Sequence, residues 1–109
     1  MKFSSNQQDI QNSLNYCQGV IEKRSTLPIL SNVLLNVSNS KLTFTATDLD
    51  LIFIHTINNV EVFEEGKTTT SSSIMYDIVR KISPGKKINF TNVGESKLNL
   101  ESESSVFNL

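Results

Sequence analysis

The segment Asn36-Val37-Ser38-Asn39-Ser40-Lys41-Leu42 returns as Asn92-Val93-Gly94-Glu95-Ser96-Lys97-Leu98, with Asn-Val and Ser-Lys-Leu kept in place. A turn sequence that recurs at this distance implies a recurring supersecondary unit, which restricts the fold more than any other feature of the chain. The surrounding periodicities agree. Val33, Leu35 and Val37 alternate with Asn36 and Ser38; beyond the Asn39-Ser40 turn, Leu42, Phe44 and Ala46 alternate with Thr43, Thr45 and Thr47, which predicts a hairpin. Ile88 to Asn92, Lys97 to Glu101 and Ser105 to Leu109 predict three more short strands, and Leu49 to Ile57, extended toward Val62, another before Glu64-Glu65-Gly66 turns the chain. Lys67 to Thr70 is available to pair next.

Two stretches carry helical spacing instead. Ser5 and Gln8 have the spacing of a capping box, and Ile10, Leu14, Cys17 and Ile21 recur on one face, so residues 6–21 are expected to be helical. From Ser73 a second helix is expected to bury Ile74, Ile78 and Ile82, with Met75 and Val79 widening the stripe, until Ser83-Pro84-Gly85 stops it. Strand, helix, strand, strand, strand is thus written twice. The expected fold class is α+β, a duplicated βαβββ unit with two helices packed on one face of an antiparallel sheet.

A chain of 109 residues suits a single domain. No apolar run approaches the length of a membrane span and the first residues lack an apolar stretch behind their charge, so a soluble cytoplasmic protein without a membrane partner is expected. Cys17 is the only cysteine, which excludes an intrachain disulfide and a cysteine-clustered metal site. Neither a metal nor a cofactor is expected. Asp48 and Asp50 lie two apart but have no evident third ligand, and His55 sits in an apolar strand without a nucleophile motif or a glycine-rich phosphate loop, so no catalytic residue is assigned.

A net charge of −1 does not favour nucleic-acid binding, which draws on Lys and Arg. The distribution is more informative than the sum. Lys23, Arg24, Arg80, Lys81, Lys86 and Lys87 gather at the two helix ends against only Asp9, Glu22 and Asp77, while the remainder of the chain is acidic. Cations at helix C-termini also complement the macrodipole. The polar face of the first helix is mostly amide, through Gln8, Gln11, Asn12 and Asn15, a surface that hydrogen-bonds water or phosphate without holding it tightly.

Arg24-Ser25-Thr26-Leu27-Pro28-Ile29-Leu30-Ser31-Asn32-Val33-Leu34-Leu35, followed by Thr45-Ala46-Thr47-Asp48-Leu49-Asp50, resembles the bacterial beta sliding clamps, the beta subunits of DNA polymerase III. Met1-Lys2-Phe3 and Tyr76-Asp77-Ile78 extend the resemblance over essentially the whole chain. It implies a DNA-clamp fold in which residues 1–109 form the first (N-terminal) domain of a three-domain subunit. Two such subunits would close head to tail as a homodimer around duplex DNA, bound without regard to sequence. DNA polymerase III and the clamp loader would bind through later domains, outside this chain.

On that resemblance Arg24 matches a DNA-contacting arginine, with Lys23, Arg80 and Lys81 as further DNA-binding candidates. Ser105-Val106-Phe107-Asn108-Leu109 resembles the strand that meets the other subunit, where Phe107 and Leu109 would supply apolar contact; core packing serves equally well for either residue. Glu101 and Glu103 depart from the basic side chains of the family at this edge. The implied function is that of a replication processivity factor, not an enzyme. The alternative is a stand-alone small α+β protein-interaction module that never touches DNA. Single-strand binding would need stacking aromatics among cations, for which only Tyr16 and Tyr76 are placed.

Overall fold

Among the described residues, alternation of apolar and polar residues, interrupted twice by helical spacing, gives nine strands and two helices. The computed structural model describes residues 1–20, 32–47, 51–93, 97–103 and 105–109. In chain order these are β1 (Lys2–Asn6), α1 (Gln7–Val20), β2 (Asn32–Ser38), β3 (Lys41–Thr47), β4 (Ile52–Ile57), β5 (Glu61–Glu64), β6 (Gly66–Ser71), α2 (Ser72–Arg80), β7 (Lys87–Val93), β8 (Lys97–Ser102) and β9 (Ser105–Asn108).

The duplicated unit is present. One copy runs β1-α1-β2-β3-β4 and the other β6-α2-β7-β8-β9, with β5 as the link. The strands form two antiparallel sheets, in the orders β5-β1-β7-β8-β9 and β4-β3-β2-β6. Each sheet therefore combines the three-strand meander of one half with the first strand of the other: β1 pairs with β7, and β6 with β2. The two halves are interlocked through their main chains, and the helices of both cover one continuous core.

That core is the one alternation foretells. Val33, Leu35, Val37, Leu42, Phe44 and Ala46 are buried on the hairpin of the first half, and Ile88, Phe90, Leu98 and Leu100 on that of the second. Ile10, Leu14 and Cys17 close it from α1, Met75 and Val79 from α2. Phe3 of β1 and Phe90 of β7 stack with centroids 4.5 Å apart and planes within 6°. Between β2 and β3, Asn39 and Ser40 both take positive φ (53° and 63°), the twist a two-residue hairpin turn needs to follow the right-handed strands.

Three details differ from the sequence expectation. First, Ser5 lies buried in β1 opposite Ile88, and Asn6 caps α1 instead, its Oδ1 accepting the Gln8 N–H at 2.8 Å. Second, α2 begins at Ser72 with Ser71 as its cap, accepting from the Ile74 N–H. The helix turns Met75, Val79 and the following Ile82 to the core and leaves Ile74 in solvent. Third, the long strand expected from Leu49 toward Val62 is two strands. Asn59 takes a positive φ of 60°, and the chain crosses there from the edge of one sheet to the edge of the other. Ile21, the end of the first helix, the connector around Pro28 and the second copy of the repeated turn lie outside the described residues.

Cys17 is fully buried, and burial pushes its thiol up from 9.0 to about 11. Two consequences are expected. Alkylation by iodoacetamide, followed by mass spectrometry, should run at least ~100-fold slower for the folded chain than in urea, the factor that two pKa units alone impose on the thiolate. The folded state also keeps a proton that the unfolded chain releases. Its contribution to stability is therefore full below about pH 9 and lost as the pH rises toward 11.

Candidate nucleic-acid interface and sheet edges

The two helices run antiparallel. Gln7, at the start of α1, is buried and donates from Nε2 to the Val79 carbonyl at 2.9 Å, near the end of α2. At the other end the Ser72 hydroxyl reaches Gln18 Oε1 at 3.4 Å. On α1 the exposed face shows Gln8, Asp9, Asn12, Asn15 and Tyr16; on α2 it shows Ser73, Ile74, Asp77 and Arg80, followed by Lys81. Gln11, expected on the amide face, is half-buried and its Oε1 takes the second Gln7 Nε2 hydrogen at 2.7 Å.

Of the DNA-binding candidates, Lys23 and Arg24 lie outside the described residues. Arg80 and Lys81 are exposed at the end of α2, beside the loop that leads to Lys86 and Lys87. The structure gathers these four cations but does not leave them equally available. The Arg80 guanidinium lies 5.1 Å above the Tyr76 ring and meets Asp77 Oδ1 at 3.3 Å. Lys86 Nζ meets Glu103 at 2.7 Å, and this hydrogen-bonded carboxylate raises the ammonium pKa above its ordinary value. Lys87 pairs with Glu61. Lys81 has no carboxylate partner among the described residues. All of these pairs are at the surface, where solvent screens them and each exchanges easily for a phosphate.

At the far edge of the five-stranded sheet, Phe107 and Leu109 are half-buried and pack against the core, whereas Val106, on the opposite face of β9, is 55% exposed. Phe107 also lines a polar notch of about 110 Å³ with Lys81, Lys86 and Glu103. The cation cluster and the edge strand, separate in sequence, are thus neighbours in space. Glu103 is paired at the surface with Lys86, so the unpaired acidic character of this edge falls mainly on Glu101.

One feature was missed by sequence reasoning. The edge strand β4 carries no charge and exposes Ile52 (68%) and Ile54 (63%) on its outer face, while Phe53, His55 and Ile57 face the helices. The edges β5 and β6 carry Glu61, Glu64 and Lys67, the usual guards against unwanted pairing, so β4 and β9 are the unguarded ones. The signal was available in Ile52-Phe53-Ile54, apolar on both faces of a strand. His55 packs against Tyr16 and Phe53. Among the described residues no group of three or more His, Cys, Asp or Glu is placed to hold a metal; Asp48 and Asp50 lie outside them.

A duplicated α+β unit with two antiparallel helices over interlocked sheets defines a DNA-clamp domain. The model of the DNA polymerase III beta subunit, N-terminal domain, matches residues 1–109, and the chain belongs to that family. A beta sliding clamp of Caulobacter vibrioides is 34% identical over 110 residues, covering 100% of this chain and 29% of that protein. The beta sliding clamp of Escherichia coli K12 is 34% identical over 98 residues, covering 90% of this chain and 27% of that protein. Among solved structures, a DnaN sliding clamp from Bartonella birtlesii superposes with a TM-score of 0.92 at 35% identity, over 100% of this chain and 29% of that one. The DNA polymerase III beta subunit of Pseudomonas aeruginosa gives 0.91 at 30% identity, over 99% and 29%. The chain therefore spans less than a third of the length of these relatives.

Proposed function

We propose that this chain acts as the first domain of a three-domain replication clamp, cytoplasmic and without catalytic activity, whose ring encircles duplex DNA. The observation that carries this reading is the match to beta sliding clamps along the whole chain, in sequence and in fold. The helix face supports it. A clamp held by topology needs weak, replaceable phosphate contacts and no base readout, and a face of amides with surface cations in exchangeable pairs supplies that. Arg80 and Lys81, with Lys23 and Arg24, are the DNA contacts; the β9 edge with Phe107 and Leu109 joins the second subunit. DNA polymerase III and the clamp loader engage later domains.

The test is topological. Full-length protein loaded on nicked circular duplex by its clamp loader is expected to stay bound in high salt and to slide off once the circle is cut. Retention on the linear product would overturn the reading, since the protein would then hold DNA by contact alone. For the phosphate contacts, the Lys81→Ala variant of the full-length protein is expected to weaken duplex binding uniformly across sequences. Its slope of log affinity against log salt should fall by about one. An unchanged slope, measured by fluorescence anisotropy, would remove Lys81 from the interface.

A further inference from the structure

We propose that Asp77 is a built-in competitor for phosphate, a residue that weakens the grip of Arg80 on duplex DNA and so keeps the clamp mobile along it. The inference rests on the clamp reading, in which Arg80 is a DNA contact, and goes beyond it by giving the neighbouring carboxylate a part in the movement.

The Arg80 guanidinium is held on two sides. Tyr76 packs against the core, which fixes its ring, and the guanidinium lies over that ring at 5.1 Å to the centroid. Asp77 Oδ1 accepts a hydrogen bond from Nη2 at 3.3 Å. The two holds act differently on a phosphate. Stacking leaves the N–H groups at the rim of the guanidinium plane directed outward, so Tyr76 presents the fork. A carboxylate takes up an N–H that a phosphate oxygen needs, and where it stays in place it repels the phosphate beside it. Tyr76 is thus a positioning residue and Asp77 an opposing one, both acting through Arg80.

Both members of the pair are open to a duplex. Their side chains are 53% and 61% exposed, on the face of α2 that also shows Ser73 and Ile74. At such exposure the pair is screened and opens readily, which makes Asp77 a competitor rather than a lock. Lys81, the next cation along, has no carboxylate partner among the described residues, so the opposition is specific to Arg80.

Helix stability does not account for this carboxylate. α2 ends at Arg80, which puts Asp77 in the last turn, where the partial negative charge of the helix terminus repels an anion. The i,i+3 attraction to Arg80 is of similar size and opposite sign. A neutral side chain at this position would serve the helix as well.

The test uses full-length protein and a short fluorescent duplex, with anisotropy followed across a salt series. Asp77→Asn is expected to bind about threefold or more tightly than wild type, with a slope of log affinity against log salt steeper by up to about one. Asp77→Glu, which keeps the charge, should stay near wild type. The gain should vanish when Asp77→Asn is combined with Arg80→Ala, because Asp77 acts through that guanidinium. Thermal melts of wild type and Asp77→Asn are expected to coincide, and on a stretched duplex the loaded Asp77→Asn clamp should diffuse more slowly. A gain that persists in the Arg80→Ala background would overturn the proposal, since it would reflect net charge alone. Tighter binding with unchanged diffusion would overturn it as well. No gain from Asp77→Asn, where Arg80→Ala alone weakens binding, would reject the competitor and leave Arg80 as a DNA contact. An Arg80→Ala variant of wild-type affinity would reject both.

Discussion

Phe90→Ala is expected to lower the stability of the domain by about 3–5 kcal/mol, the cost of deleting a fully buried aromatic side chain. A domain of this size has only roughly 5–15 kcal/mol in total, so the loss should be visible as a fall in Tm of at least ~12 °C. The position magnifies the effect. Phe90 stacks on Phe3, and those two residues face each other in the β1–β7 pairing, one of the two ladders that join the halves. At the same seam the Gln7 N–H donates to the Lys86 carbonyl at 2.9 Å. A cavity there removes the contact through which the first strand of one half is held in the sheet of the other. Phe63, 64% exposed on the edge strand β5, is the internal comparison. Phe63→Ala should cost less than about 1 kcal/mol. Urea melts of the two variants decide the matter, and near-equal losses would show that the ring stack does not hold the halves together.

Much of this architecture could be read from the residues because alternation reports burial directly. Each of Val33, Leu35, Val37, Leu42, Phe44 and Ala46 was assigned to the core by its place in a two-residue period, and each is buried. The repeated Asn-Val and Ser-Lys-Leu segments pointed to a duplication, and the topology contains one. The distribution of strands between two sheets was not legible, since period two says which face a residue takes and nothing about which strand lies beside it. For the same reason Leu49 to Ile57, extended toward Val62, reads as one strand: Asn58-Asn59 is the sort of pair that turns a chain, but only the crossing between sheets required the positive φ at Asn59. Ile74 was misassigned because stripes through Ile74, Ile78 and Ile82 and through Met75, Val79 and Ile82 both fit helical spacing and only packing chooses between them; where the helix starts is a separate matter. Three consecutive serines, Ser71 to Ser73, left that start ambiguous.

The candidate site was less legible than the fold. Counting cations at the helix ends located Arg80 and Lys81 on the exposed surface, but a count does not reveal that Asp77, Glu103 and Glu61 engage Arg80, Lys86 and Lys87. Two of those partners, Glu61 of β5 and Glu103 of the turn after β8, are distant in sequence, so their pairing is a consequence of the interlocked sheets. Tyr16 and His55 each looked isolated in sequence for the same reason; β4 lies over α1 only in three dimensions.

The second large effect is expected at β9. Leu109 donates its N–H to the Leu98 carbonyl at 2.8 Å and accepts the Leu98 N–H in return, so this pair faces into the sheet. Alternation along an antiparallel strand then turns Phe107 and Ser105 inward with Leu109, and points the main-chain N–H and C=O of Val106 and Asn108 away from β8. If β9 joins the second subunit by extending the sheet, Val106 supplies one of the hydrogen bonds across the joint. Val106→Pro removes that donor and places a ring where the neighbouring strand must lie, yet breaks no hydrogen bond within the domain. Truncating Phe107 would be less informative, because its ring also packs against the core and a loss of dimer could then follow from a loss of fold. In full-length protein the Val106→Pro variant is expected to weaken dimerisation by roughly 100-fold, about 3 kcal/mol, with the Tm of the first domain nearly unchanged. Sedimentation velocity across a dilution series measures the first quantity and circular dichroism of the isolated chain the second. A dimer of wild-type strength would mean that the ring does not close through this edge, and would direct attention to β4, the other edge without charge.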